Sequence, residues 1–402
     1  MNAILSEFTI SGFKSHRNSR LPLGPLTVLL GANASGKSNA IEGLRFLSWL
    51  SQRQQLSTIQ YETNSDNRII RGRTTDICIL GESEFSIGCR LNGETWNNLS
   101  ITLSVRDGAL HIDDERITRN HSYESLYEIV QPSEDVGTMV SVAYNNFISG
   151  NNRYTKICSD QIAIFTQLDS PANLNDQQEV ITEIPDTVQK YQQVLESILF
   201  LDPVPAKMRE YSFRIDKRLQ EDGNNLSSVL HHLWSKNDKN RQAILDFIQS
   251  LPEQKIAGIS FLSGPRDEVM VQLTETFGNT QRNYEAALLS DGTLRVLAIA
   301  AAMLSAPEGS LVVIEEIDNG VHPTRARHLM QQIRTIAQQR NLRVLLSTHN
   351  SALMDALPDE ALSDVVFCFR DPQTGNRLLP RLGDLDEYTG LVSQGPLGHL
   401  VP

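Results

Sequence analysis

Four short stretches of the chain carry residue types that could do phosphate chemistry. The first, GANASGKSN from Gly31 to Asn39, satisfies the spacing GxxxxGK[ST]. Gly31 and Gly36 let the backbone wrap with its N–H groups turned inward, and Lys37 adds a point charge for β- and γ-phosphate oxygens. The Ser38 hydroxyl is then placed to ligate Mg²⁺. The second, LVVIEEIDNGVHP, sets Glu315 and Glu316 directly after four apolar residues. Adjacent strand residues point to opposite sides, so the two acids divide two jobs. Glu315 is expected on the metal side and Glu316 as the base that positions or deprotonates an attacking water. Asp318 competes for either role but lies further from the strand end. The third, LRVLLSTHN, ends an apolar run on His349, whose imidazole could bond a γ-phosphate.

The fourth, ALLSDGTLRVLAIAAAML from Ala287 to Leu304, opens on Ser290, Asp291 and Gly292 and runs into an apolar helix. A helix start offers unpaired N–H groups to an anion. One nucleotide on one chain needs only one phosphate cradle, so this second helix start calls for a different use.

Chemistry of this kind needs a rigid frame. LTVLL, Leu26 to Leu30, is a continuous apolar run that suits a strand buried on both faces. Ile41, Leu44, Leu47 and Leu50 then recur at helical spacing, so the spacing predicts strand, glycine loop, helix. The last third repeats the alternation: SLVVIEEID, a helix from about Thr324 to Gln339, then LRVLLSTHN. From Ile77 to Ile117 the pattern turns to period two, with Asn92-Gly93 and Asp107-Gly108 as hairpin turns, which predicts an antiparallel meander. Helical stripes follow at Val188, Tyr191, Val194, Leu195, Ile198 and Leu199, stopping near Pro203, at Leu226, Val229, Leu230, Leu233 and Trp234, and at Ile244, Phe247, Ile248 and Leu251. The expected division is an N-terminal lobe (1–175) with loop and meander, a helical insertion (176–265), and a C-terminal lobe (266–402).

Bulk composition narrows the function. A net charge of −12 argues against coating DNA regardless of sequence, because such binding rests on neutralised phosphates. Two local basic groups remain, Lys14, Arg17 and Arg20, and Arg68, Arg71 and Arg73; solvated surface charge is the plainer reading of both. Cys78, Cys89, Cys158 and Cys368 form no CxxC pair and read as core residues of a reducing compartment. No apolar run approaches the roughly 20 residues of a membrane span, and the N-terminus lacks a signal-peptide pattern. A cytoplasmic protein without a membrane partner is expected. No NKxD motif for reading guanine is present.

The order of these pieces, with ISGFKSH and LPLGPLTVLLGANASGKSN at one end and LLSDGTLR, VVIEEIDNGVHP and LLSTHN at the other, resembles ABC-type ATPases of the SMC/RecF/OLD-like group. In particular it resembles the small stand-alone bacterial AAA-family ATPases. LQEDGNNLSSVLHHL is similar to a helix start that these proteins carry before the signature. The resemblance implies an α/β P-loop NTPase fold, an ABC-type head with a flanking antiparallel β-meander and an inserted helical subdomain. It places Asn33 and Asn39 with Gly31, Gly36, Lys37 and Ser38 in the phosphate loop, and Ser290 and Gly292 in the signature. It makes Glu316 the base, Asn319 a D-loop residue and His349 the switch histidine. Glu315 stands where Asp is usual, Ile317 where Pro is common, and Asp291 where many signatures have Gly. Gln52, Gln54, Gln55 and Gln60 all compete for the Q-loop position.

The resemblance further implies ATP and Mg²⁺ held between two heads in a head-to-tail homodimer, the signature of one facing the phosphate loop of the other. The expected role is sensor or regulatory subunit of an anti-phage defence or DNA-maintenance system. About fifty residues follow His349, too few for a Toprim nuclease, so a separate effector, nuclease or toxin, is expected. The alternative is a RecF-like clamp acting directly on DNA. A transporter subunit fits poorly, since phosphate loop and signature lie far apart.

Overall fold

The protein is represented by a computed structural model that describes residues 3–59, 69–119, 124–133, 137–148, 153–175, 177–248, 256–318, 323–350, 353–354, 357 and 359–385. The chain opens with β1 (Ile4–Phe13), β2 (His16–Pro22), β3 (Leu26–Leu30) and α1 (Lys37–Ser51). β4 (Glu84–Asn92), β5 (Trp96–Arg106), β6 (Ala109–Arg119), β7 (Ser125–Gln131), β8 (Met139–Tyr144) and β9 (Tyr154–Ser159) follow, then α2 (Gln178–Glu196). Next come β10 (Leu199–Leu201), β11 (Ser212–Phe213), α3 (Leu226–Lys236) and α4 (Asp238–Ile248). The helical stripe expected to run through Ile198 and Leu199 stops at Glu196, because Leu199 pairs with Val312 as a parallel strand. β12 (Ile256–Ser263), β13 (Glu268–Phe277), β14 (Thr280–Glu285) and α5 (Asp291–Ser305) lead to β15 (Leu311–Ile314), α6 (Pro323–Gln339) and β16 (Arg343–Thr348). β17 (Val365–Phe367), β18 (Phe369–Arg370) and β19 (Arg377–Leu378) complete the order.

These elements form two compact units, each assembled from separate parts of the sequence. The first gathers Met1–Pro22, Asn33–Ser197 and Cys368–Leu379; the second gathers Leu23–Ala32, Ile198–Phe367 and Pro380–Pro402.

The first unit is built on an antiparallel eight-stranded sheet, ordered β2-β1-β4-β5-β6-β7-β8-β9. Its hairpin chemistry is local. Asp107 and Gly108 both take left-handed φ, 48° and 80°, the geometry that lets a two-residue turn match strand twist. The expected meander therefore forms, and it continues through β9. α1 buries Ala40, Ile41, Leu44, Leu47 and Leu50. Its backbone comes close to β1 because residue 43 is glycine: a Cβ there would lie 2.6 Å from Ile10 Cδ1. Ser48 Oγ donates to Leu195 O at 2.7 Å, tying α1 to α2.

The second unit holds a parallel five-stranded sheet, ordered β10-β15-β16-β3-β17. Every residue of β3 and β15 is buried, which is why both read as apolar runs; the one polar residue, Thr27, accepts from Gly24 N–H at 2.8 Å. Burying each such Leu, Val or Ile contributes about 1.5–3 kcal/mol. The same core takes in Leu230 of α3, Phe247 of α4, Leu294 and Leu297 of α5, and Met330 of α6. A smaller antiparallel sheet, β11-β13-β12 with β14 on β13, precedes α5. Sequence reading did not anticipate it, although Val269, Val271, Leu273 and Glu275 alternate along β13 as its buried face.

Among the described residues no helix is long and apolar enough to cross a membrane, and no group of three metal-ligating side chains occurs. All four cysteines are buried, as expected of core residues.

Candidate functional site

In the second unit, β15, β16 and β3 are parallel neighbours, with Ile314 opposite Leu346 and Thr348 opposite Leu30. Their carboxyl ends therefore lie side by side, where open α/β sheets bind ligands. Gly31, Glu315, Glu316 and His349 are the residues that emerge there. Gly31 N–H donates to Thr348 O at 3.3 Å. Glu315 N–H donates to Leu201 O at 2.9 Å, beyond the last paired residue of β15. The two acids are set apart by a turn rather than by strand alternation. Glu316 takes a left-handed φ of 48° and is exposed, while Glu315 is half-buried. Ser347 holds that turn: its Oγ accepts from Glu316 N–H at 3.0 Å and its carbonyl from Ile317 N–H at 3.1 Å.

Asp318, read from sequence as a rival acid, has a partner of its own. Its Oδ2 lies 3.2 Å from His349 Nδ1, and its side chain is only 7% exposed. A carboxylate beside Nδ1 orients the ring and leaves the Nε2 edge for a ligand. Asn319 lies outside the described residues, as do Gln60 and Arg68. Gln52 closes α1, its N–H donating to Trp49 O at 3.1 Å, with Gln54 and Gln55 following.

The first unit holds the later part of the glycine loop and the start of α1. Gly36 has φ 118°, which strains any other residue, and a Cβ there would sit tightly, 3.2 Å from Arg377 Cγ, His16 Nε2 and Ser15 Oγ. Three successive loop carbonyls are engaged from outside the loop. Arg377 Nη2 donates to Ala34 O at 3.0 Å, Cys368 Sγ to Ser35 O at 3.4 Å, and His16 Nε2 lies 3.0 Å from Gly36 O. In a trans peptide the C=O and the following N–H point opposite ways. Holding these carbonyls outward turns the N–H groups of Ser35, Gly36 and Lys37 to the other side. Lys37 is half-buried, Ser38 and Asn33 are exposed, and Asn39 Nδ2 donates to Ser15 Oγ at 2.8 Å.

Of these supports, sequence reading missed Ser15, His16, Cys368 and Arg377. His16 and Ser15 stand in the FKSH stretch, which was a usable signal; Arg377 carried none. His16 is fully buried, with Nδ1 2.9 Å from Ser19 Oγ. Burial holds its pKa below the usual imidazole value and the Arg377 charge adds to this, against the Gly36 bond, which raises it. The Gly36 carbonyl can only accept, so Nε2 is the donor there, and Ser19 Oγ in turn donates to Arg377 O at 3.2 Å.

In the N-terminal basic group Arg17 and Arg20 are exposed, as solvated surface charge is, whereas Lys14 is not. Lys14 Nζ pairs with Glu42, which is buried in α1, and also donates to Arg71 O at 2.7 Å. Arg71 Nη2 reaches Glu42 Oε2 at 3.2 Å. Burial lowers the Lys14 pKa, although the Glu42 bond opposes that shift. These two cations serve a buried acid.

The start of α5 is a capped N-terminus. Ser290 Oγ accepts from Thr293 N–H at 3.2 Å and lies 2.8 Å from Thr293 Oγ1. Ser290 and Asp291 are exposed and Gly292 is half-buried, whereas Thr293, Leu294 and Val296 to Leu304 are buried. The helix start is thus open to solvent on a rigidly seated helix.

A left-handed glycine with outward-held carbonyls, followed by lysine and serine on a helix start, fits a phosphorylated nucleotide with Mg²⁺. A buried parallel strand feeding that loop, acids and histidine on the adjacent strand ends, and an antiparallel sheet in the other unit define the chain as a P-loop ATPase head of the ABC/SMC-like type. Solved structures agree on the fold. An SMC head bound to the C-winged helix domain of ScpA superposes with a TM-score of 0.51 at 13% identity, over 94% of this chain and 99% of that one. The Smc head domain with an extended coiled coil, bound to the C-terminal domain of ScpA and derived from Pyrococcus furiosus, gives a TM-score of 0.51 at 10% identity, over 98% and 99%. No curated protein matches the chain. The model of the family described as "AAA domain, putative AbiEii toxin, Type IV TA system" matches residues 26–355, and the chain belongs to that family.

Proposed function

We propose that the chain binds and hydrolyses ATP with Mg²⁺, and that ATP joins two copies head to tail. In this reading Gly31, Asn33, Gly36, Lys37, Ser38 and Asn39 hold the phosphates, and Ser38 and Glu315 ligate the metal. Glu316 takes the proton of the attacking water, and His349, oriented by Asp318, bonds the γ-phosphate. Bound Mg²⁺ supplies charge neutralisation at the β- and γ-phosphate oxygens. Ser290, Asp291 and Gly292 of one copy meet the phosphate held by the other, with Asn319 of the D-loop contributing to the same joint.

The observation that supports the two-copy reading is the open start of α5, capped by Ser290 and exposed at Ser290 and Asp291. It is a second anion-ready helix start on a chain that already carries a phosphate loop. Light scattering on Glu316→Gln with ATP and Mg²⁺ tests it: a dimer that reverts to monomer without ATP is expected, and a monomer under both conditions sinks it.

The biological role we infer is that of a cytoplasmic sensor or regulatory subunit in an anti-phage or DNA-maintenance system, paired with a separate nuclease or toxin. The family description, which names a type IV toxin–antitoxin system, supports the defence reading. The likeness to SMC heads bound to domains of ScpA supports a protein partner. For direct DNA clamping the engagement of Lys14 and Arg71 by Glu42 is unfavourable. DNA-stimulated turnover by the purified chain alone would reverse that preference.

A further inference from the structure

Asp291 poses an electrostatic problem for the start of α5. A helix N-terminus attracts anions through the positive end of its dipole, and a carboxylate in the first turn cancels that attraction. A phosphate approaching Ser290 and Gly292 meets the Asp291 charge. The structure supplies a counter-charge from elsewhere in the same unit. Arg209 Nη2 donates to Asp291 Oδ1 at 2.8 Å and to the carbonyl of Leu289 at 2.8 Å. One guanidinium nitrogen thus grips the residue before the Ser290 cap and the residue after it.

The segment carrying Arg209 is itself anchored. Met208 is 1% exposed, Val204 N–H donates to Asp222 O at 3.0 Å, and Lys207 Nζ lies 3.1 Å from Asp222 Oδ2. The segment leaves β10, whose Leu201 carbonyl receives the Glu315 N–H at 2.9 Å. It therefore runs from the acid-bearing strand end to the start of α5.

We infer that Arg209 is a positioning residue of the signature: it neutralises Asp291 and fixes the Leu289 peptide, so that Ser290 and the first N–H groups of α5 can receive a phosphoryl group. The inference rests on the signature reading of Ser290 to Gly292. Asp291 then acts as the handle by which Arg209 sets the helix start, and the pair replaces the uncharged glycine that many signatures carry there. Lysine would keep the charge and lose the fixed planar fork, so it substitutes only in part.

The test is steady-state ATP hydrolysis and ATP binding by the full chain with Mg²⁺, for Arg209→Ala, Arg209→Lys, Asp291→Gly and the double variant Arg209→Ala/Asp291→Gly. Arg209→Ala is expected to lower kcat about tenfold or more, because one preorganised electrostatic contact is lost. Its affinity for ATP should stay within about threefold, because the phosphate loop is untouched. Arg209→Lys should retain an intermediate kcat. In the double variant kcat should rise about threefold above that of Arg209→Ala without reaching wild type, because the uncompensated carboxylate is gone but the Leu289 contact is still lost. A purely structural role for Arg209 predicts no such recovery. An Arg209→Ala kcat within twofold of wild type, or a double variant no faster than Arg209→Ala while melting normally, overturns the inference. Ser290→Arg is the control: unchanged turnover in it overturns the signature reading and this inference together. Lost turnover in Ser290→Arg with a silent Arg209→Ala overturns this inference alone.

Discussion

Arg377 donates to the carbonyl of Ala34 at 3.0 Å across 343 residues of sequence. The bond fixes one peptide of the glycine loop from behind, and Cys368 and His16 fix the next two. A phosphate cradle made of backbone N–H groups has no side chains to steer it, so its orientation depends on what holds the carbonyls. Arg377→Ala is expected to weaken ATP binding about tenfold, the worth of roughly one charge-assisted hydrogen bond. Arg377→Lys should recover part of this. Titration calorimetry with ATP checks it, and affinity unchanged in Arg377→Ala would show that the loop holds its shape without the bond.

Lys37→Ala removes the point charge that opens α1. Loss of its bonds to phosphate should reduce ATP affinity on the order of a hundredfold. The same titration decides; retained tight binding contradicts the phosphate-loop assignment of Gly31 to Ser38.

Glu316→Gln keeps the size of the side chain and removes its ability to take a proton. Turnover is expected to fall roughly 10²–10⁴-fold while ATP still binds. The left-handed turn at Glu316, held by Ser347, should survive, because the amide changes nothing in the backbone. Phosphate release at saturating ATP measures this. Turnover within twofold of wild type removes Glu316 as the base and points to Glu315 or Asp318.

Glu115 gives the meander unit its own pH response. It is fully buried and accepts from Tyr127 Oη at 2.7 Å, Ile164 N–H at 2.8 Å and Phe165 N–H at 2.7 Å. Burial pushes its carboxyl up from an ordinary value of 4.5 to about 7, against those three bonds, which lower it. The folded state then binds more protons than the unfolded state between these two values. The Glu115 contribution to stability is therefore complete below about 4.5 and lost as pH rises through about 7. Glu115→Gln places an amide N–H₂ among donors, which costs about 1–3 kcal/mol. Thermal melts from pH 5 to pH 8 should show wild type exceeding the variant by a margin that shrinks as pH rises. A constant margin refutes the shift.

The motifs were legible because each is a local solution to a local problem. Phosphate binding needs glycines, a lysine and a hydroxyl within one turn of chain, and GANASGKSN shows all of them. Parallel strands buried on both faces must be continuously apolar, so Leu26 to Leu30 and Leu311 to Ile314 announced themselves, and with them the α/β fold. Asn-Gly and Asp-Gly turns did the same for the meander. The small sheet of β12, β13 and β14 went unseen, because its strands mix polar and apolar residues and their pairing is decided by what they pack against.

The supports of the site were a different matter. His349 was visible as a strand-end histidine, but its pairing with Asp318 depends on how the chain turns after β15. Lys14 and Arg71 looked like surface cations, and only the burial of Glu42 claims them. Arg377 and Arg209 had no sequence signal, since a guanidinium on a two-residue strand or a short connection is ordinary until a distant carbonyl or carboxylate lies in its reach. The sequence by itself determined which residues can touch a nucleotide, because that chemistry is contiguous. Tertiary structure alone decided which residues hold them in place, because a hydrogen bond is set by distance in space and not by separation along the chain.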